Sequence, residues 1–110
     1  MKIAVYCSSS NHIADEYKLQ GYKLGQWIGE SANSLIFGGA TGGLMTSVSE
    51  GAASKNAEII GIIPQAVIKM NRQSPLCSTL VSVNTMSERK SQMKEIADIF
   101  VVLPGSYGTL

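Results

Sequence analysis

The sequence predicts an α/β fold, an open parallel sheet with helices on both faces, and three observations carry that prediction. Short apolar, partly β-branched runs alternate with longer stretches of helical periodicity from one end of the chain to the other. The run Glu58 to Ile63 is apolar on both faces, as buried parallel strands are. Three of the carboxyl ends carry unusual small or polar residues, at Ser8–Ser10, Gly38–Gly43 and Gly105–Gly108. In a parallel sheet joined by right-handed crossovers, these ends border the ligand crevice.

The elements follow in order. Lys2 to Cys7 reads as a strand that enters a polar loop. Asp15 and Glu16 open a helix with Tyr17, Gly21, Leu24 and Ile28 on its buried face, where Gly21 and Gly25 allow close approach to the sheet. Trp27 is expected to pack rather than bind. Ser34 to Phe37 is a second strand, running into Gly38-Gly39-Ala40-Thr41-Gly42-Gly43; Leu44, Met45, Val48 and Ala52 then mark one face of a helix ending near Asn56. The third strand, Glu58 to Ile63, stops at Pro64. Gln65 to Ser78 reads as a short helix plus a loop, broken at Asn71 and Pro75. Leu80 to Val83 is a fourth strand. Met86 to Ala97 is helical, with Ser87 as N-cap and Met93, Ile96 and Ala97 facing inward. Ile99 to Leu103 is the fifth strand.

Bulk properties narrow the function. The 110 residues are one domain's worth of chain, so a single domain over residues 1–110 is expected. A formal charge of +1 with 15% charged residues excludes the basic excess of a nucleic-acid binder and points to a small ligand. Cys7 and Cys77 are too few for a disulfide scaffold and lack metal-ligand spacing, which fits reduced thiols in a cytoplasmic protein with no metal. The apolar run after Lys2 is shorter than the roughly 7–15 residues of a signal core, and no stretch approaches the ~20 apolar residues of a membrane span.

Two constellations carry chemistry. The glycine cluster at Gly38–Gly43 follows a strand and opens a helix, the setting in which backbone N–H groups hold a phosphate; the alternative is that the glycines merely seat the helix tightly. It has neither dinucleotide-fingerprint nor nucleotide-triphosphatase spacing. Arg89-Lys90 lies at a helix start, where positive charge opposes the helix dipole, so a site role competes with a solvated pair near Glu88 and Lys94. If the fourth strand ends at the crevice, Arg89 reaches it, and its fork can hold sugar hydroxyls, carboxylate or phosphate bidentately. His12 is expected to be solvated, and Met70, Met86 and Met93 to pack.

Taken together, these residues resemble the Lonely Guy (LOG) family of cytokinin riboside 5′-monophosphate phosphoribohydrolases, often labelled lysine decarboxylase-like. Phe37-Gly38-Gly39-Ala40-Thr41-Gly42-Gly43-Leu44-Met45 looks like the family's aromatic-GGG-x-x-GLMG loop. Met86-Ser87-Glu88-Arg89-Lys90 looks like M-H-x-R-K, and Pro104-Gly105-Ser106-Tyr107-Gly108-Thr109 like the start of P-G-G-x-G-T-x-x-E. Ala40 and Thr46 stand where the family has glycine, Ser87 where it has histidine, and Ser106 where it has the second glycine of the last loop. The motif's glutamate would fall two positions past Leu110.

The resemblance implies a Rossmann-like fold. It implies cleavage of the N-glycosidic bond of a nucleoside 5′-monophosphate, AMP or a cytokinin ribotide, to free base and ribose 5-phosphate, without a cofactor. By position it makes Arg89 catalytic, has Arg89 and Lys90 contact the nucleotide and has Gly105, Ser106, Tyr107, Gly108 and Thr109 bind the 5′-phosphate, with Gly38, Gly39, Gly43 and Met86 also substrate-binding. It implies a homodimer or higher homo-oligomer. No residue marks a pyridoxal-phosphate lysine, so the decarboxylase label has no chemical support. The alternatives are a non-catalytic protein of the same fold that binds a nucleotide or phosphorylated cofactor, and a nonfunctional remnant; the missing glutamate predicts impaired activity for the 110-residue form.

Overall fold

The computed structural model describes residues 1–103. The chain order is β1 (Lys2–Tyr6), α1 (Asp15–Glu30), β2 (Ser34–Phe37), α2 (Gly43–Ser54), β3 (Ile59–Pro64), α3 (Gln65–Lys69), β4 (Thr79–Val83), α4 (Met86–Ile96) and β5 (Ile99–Val102). All strand pairings are parallel and the sheet order is β4-β3-β2-β1-β5. The chain therefore winds outward from β1 to β4 and returns to the other side of β1 as β5, with Val5 opposite Val101. That reversal makes the carboxyl end of β1 the switch point, where a crevice opens in folds of this kind.

Strand alternation divides the core into two layers. Ile3 and Val5 of β1, with Leu35 and Phe37 of β2, face Ile28 of α1 and Leu44, Val48 and Ala52 of α2. Ala4, Ile36, Ile60, Ile62 and Val83 face the opposite way, with Met93 of α4. Helices thus cover both faces, as predicted. β3 is buried along its whole length, which explains its lack of polar alternation.

Several local expectations change. Gly21 and Gly25 are buried, but the close approach they permit is to α2 rather than to the sheet: a Cβ on Gly25 would overlap Val48 O and stand 2.7 Å from Ala52 N. Trp27 lies outside this packing and is 50% exposed. Pro64 ends β3 from within the strand, and α3 is the predicted short helix. Ile96 is exposed rather than inward-facing.

Helices α1, α2 and α3 end alike, on a residue with left-handed backbone: Ala32 (φ 57), Asn56 (φ 58) and Asn71 (φ 58). Each time the following N–H reaches back five residues, as from Asn33 to Ile28 O at 2.9 Å, closing the last carbonyls. Asparagine tolerates this conformation and alanine does not, so Ala32 carries strain. Among the described residues β5 borders β1 on one side only, and its Phe100, 44% exposed, stacks on Tyr6 at 5.9 Å. No helix of the described residues is long and apolar enough to cross a membrane.

Candidate functional site

A cavity of about 210 Å³ opens at the carboxyl ends of β1 and β2. Its walls are the chain from Val5 to Ser9, Gly38 and Met45, and the face of α4 that carries Met86, Arg89, Lys90 and Met93. Those four residues fall on one helical face through their three- and four-residue spacing.

Capping sets the start of that helix. Thr85, not the expected Ser87, is the N-cap: its Oγ1 accepts the Glu88 N–H at 3.1 Å, while Glu88 Oε2 accepts the Asn84 N–H at 3.1 Å. Thr85-x-x-Glu88 is a capping-box spacing, and reading it so from the sequence finds the true start.

Arg89 spans the strand ends. Its Nε donates to Ile62 O at 2.9 Å and its Nη2 to Gly38 O at 2.6 Å, joining the carboxyl ends of β3 and β2. Two of the fork's nitrogens are thereby committed to main chain, unlike the free bidentate fork expected. Nη1 reaches only the Met86 thioether, at 3.6 Å, a weak partner that an incoming ligand can replace. Burial lowers the Arg89 pKa from its ordinary value, with the Cys7 thiol pulling the other way.

Cys7, which the sequence reading passed over for the site, lies in the cavity wall and is almost wholly buried. Burial pushes its thiol up to about 12, against the lowering effect of the Arg89 charge, so it is a neutral, unreactive group at physiological pH. Ser8 and Ser9 add hydroxyls, and Val5, Met45 and Met93 an apolar floor. The polar ending of β1 is the signal that marks this wall in the sequence. Among the described residues the cavity has no carboxylate, and no group of three or more His, Cys, Asp or Glu could hold a metal ion.

The glycine cluster does not offer the open phosphate cradle expected at the start of α2. Gly42 N–H donates to Thr46 Oγ1 at 2.6 Å, Gly43 N–H to Asn11 Oδ1 at 3.1 Å, and the Leu44 and Met45 N–H groups to Ser8 O at 3.0 and 3.3 Å. The helix's orphan donors are consumed by protein acceptors, one of them the Thr46 hydroxyl. Gly42 (φ 107) and Gly43 (φ 50) are required because a Cβ at either would strike the main chain of Ser9 or Ser10. They seat the helix tightly against the β1 loop.

Of the residues expected to bind or react, the structure brings together Gly38, Met86, Arg89 and Lys90. Gly39 lies against Ile63 and Gly61, and Gly43 against Ser10, away from the cavity. Gly105, Ser106, Tyr107, Gly108 and Thr109 lie outside the described residues. His12 is exposed as expected. Of the methionines expected to pack, Met93 is buried, Met70 is exposed, and Met86 lines the cavity while 52% exposed.

Known proteins resemble this chain in sequence and in fold. The model of a family described as "Possible lysine decarboxylase" matches residues 45–110. A cytokinin riboside 5′-monophosphate phosphoribohydrolase, LOG, of Oryza sativa subsp. japonica is 34% identical over 109 residues, covering 99% of this chain and 45% of that protein. Another of the same description from Arabidopsis thaliana is 32% identical over 108 residues, covering 98% of this chain and 51% of that one. The chain spans about half the length of these curated relatives. Among solved structures, a molybdenum cofactor (Moco) carrier protein from Chlamydomonas reinhardtii superposes with a TM-score of 0.83 at 20% identity, covering 98% of this chain and 64% of that one. The molybdenum cofactor binding protein of Rippkaea orientalis gives 0.83 at 22% identity, with the same coverage. At those identities the likeness speaks for the Rossmann-like fold. With the family match over residues 45–110, the chain belongs to the lysine decarboxylase-like, or LOG, family.

Proposed function

We propose that the whole protein hydrolyses the N-glycosidic bond of a nucleoside 5′-monophosphate, AMP or a cytokinin ribotide, to free base and ribose 5-phosphate. The observation that carries this reading is Arg89, fixed across two strand ends with one terminal nitrogen left to a thioether at a cavity wall. In this reaction water adds to the anomeric carbon as the carbon–nitrogen bond breaks, the electron pair of that bond moves onto the base, and the proton that the water gives up ends on the released base. A preorganised guanidinium N–H stabilises that developing negative charge without reorganising in the transition state. Lys90 adds a second cation at the cavity wall, and the floor of Val5, Met45 and Met93 suits the flat face of a base. The names of the curated relatives support the substrate class.

The phosphate is assigned to Gly105 through Thr109, where binding remote from the breaking bond supplies positioning energy. The capped start of α2 leaves that role to them. We also propose a single-domain protein that works as a homodimer in the cytoplasm; a strictly monomeric species by light scattering would contradict the dimer.

Incubation of the whole protein, with any residues beyond these 110, with AMP or isopentenyladenine ribotide tests the reading: free base should appear on chromatography. A second reading is a non-catalytic module that binds a nucleotide or phosphorylated cofactor. It is favoured by the lack of a carboxylate among the described residues of the cavity and by the fold shared with molybdenum cofactor carriers. Calorimetric binding of AMP without base release would select it, and neither binding nor release would refute both.

A further inference from the structure

We infer that Gly38 is a positioning residue for Arg89, the space of its absent side chain being the seat of the guanidinium. A Cβ built on Gly38 would lie 2.8 Å from Arg89 Nη2, 3.0 Å from Arg89 Cζ and 2.6 Å from Met45 Cε. The backbone does not demand glycine there: among the described glycines positive φ occurs at Gly39, Gly42 and Gly43, not at Gly38. What demands it is the arginine. With Nη2 on Gly38 O at 2.6 Å and Nε on Ile62 O at 2.9 Å, the guanidinium occupies the space that a Cβ at position 38 would need.

The two neighbours in the way of a Cβ differ in freedom. Met45 Cε is the end of a flexible side chain and can turn aside. The guanidinium is held by two hydrogen bonds, so moving it forfeits both. Alanine at position 38 should therefore displace Arg89 and spare the strand. The glycine thus serves the site through the arginine and need not touch a ligand.

The inference concerns where Arg89 sits; only its activity readout rests on the proposed hydrolysis. The chain has two arginines, Arg72 and Arg89, so its Arg Nε–H spectrum should show two side-chain signals, assigned with Arg89→Lys. The Arg89 signal should be shifted and slow to exchange, and Gly38→Ala should return it to the position and exchange of a solvated arginine. The further change Met45→Ala should not restore it. An unchanged signal in Gly38→Ala, or its recovery in Gly38→Ala/Met45→Ala, would overturn the inference.

Should Gly38→Ala fold poorly, melting temperatures decide. The substitution should lower the melting temperature of the parent protein but do so much less in an Arg89→Ala background, and equal losses in both backgrounds would overturn the inference. In the whole protein, displacement on the scale of an ångström should cut kcat/KM about 10²-fold. Loss of the slow Nε–H signal with no hydrolysis in the parent protein would sustain the positioning role and sink the proposed function, which keeps the two failures distinct.

Discussion

Two alanine substitutions on one helix should have opposite signs. Gly21 and Gly25 are one turn apart on α1 and both face inward. At Gly21 an added Cβ would lie 3.4 Å from Leu44 Cδ2 and 3.5 Å from Ser47 Cβ, ordinary contacts. Gly21→Ala should therefore gain the helix-propensity difference, about 0.5–1 kcal/mol. At Gly25 the Cβ would overlap Val48 O and stand 2.7 Å from Ala52 N, where ordinary contact begins near 3.4 Å. Both obstacles are α2 main chain, so the helices must part by more than the roughly 0.7 Å that Ala52 N alone requires, the overlap with Val48 O being the worse of the two. Overpacking of this kind costs roughly 1–3 kcal/mol or more, which outweighs the propensity gain. Urea denaturation followed by circular dichroism should place the Gly25→Ala midpoint well below the parent's and that of Gly21→Ala above it. On a melting curve each kcal/mol should correspond to roughly 4–8 °C for a chain of this size. Equal midpoints for the two variants, or a stabilised Gly25→Ala, would show that the glycine-mediated α1–α2 seam is not as described.

Other expectations follow from single residues. Because the Cys7 pKa rises from 9.0 to about 12 on folding, the folded state binds the extra proton between those values and stability falls as pH rises through them. The loss should be on the order of 4 kcal/mol in all, and Cys7→Ser should flatten that part of the stability profile. A parent and variant with the same alkaline slope would contradict it. Ala32→Gly should stabilise by up to about 1 kcal/mol, since it removes a methyl group from a residue at φ 57; a lowered melting temperature would argue against that helix ending. Thr85→Ala should cost about 1 kcal/mol and Ser87→Ala little, measured by the same denaturation, because Thr85 is the residue that caps α4.

The sequence exposes the fold because apolar runs and helical periods report burial directly. β3 and the Leu44, Val48, Ala52 face are examples. Arg89 was legible for a different reason: a cation in the first turn of a helix is unfavourable without a partner, and here the partners are the carbonyls at two strand ends. What those carbonyls do to the fork was not legible, since Ile62 and Gly38 lie 27 and 51 residues away. The same distance hides the fate of the start of α2, where Asn11 accepts the Gly43 N–H and Ser8 the Leu44 and Met45 N–H groups from another loop. The small-residue stripe of α1 could not reveal whether it faces a sheet or a second helix, because both surfaces welcome close approach. Thr85 was within reach of the sequence through its spacing to Glu88, and was masked by the nearer serine.

The central claim is that Arg89 is the cation that drives base release, and one substitution addresses it. Arg89→Ala in the whole protein should abolish release of free base from a nucleoside 5′-monophosphate while the variant stays folded by circular dichroism. A folded Arg89→Ala variant that releases base at the parent's rate would contradict the account.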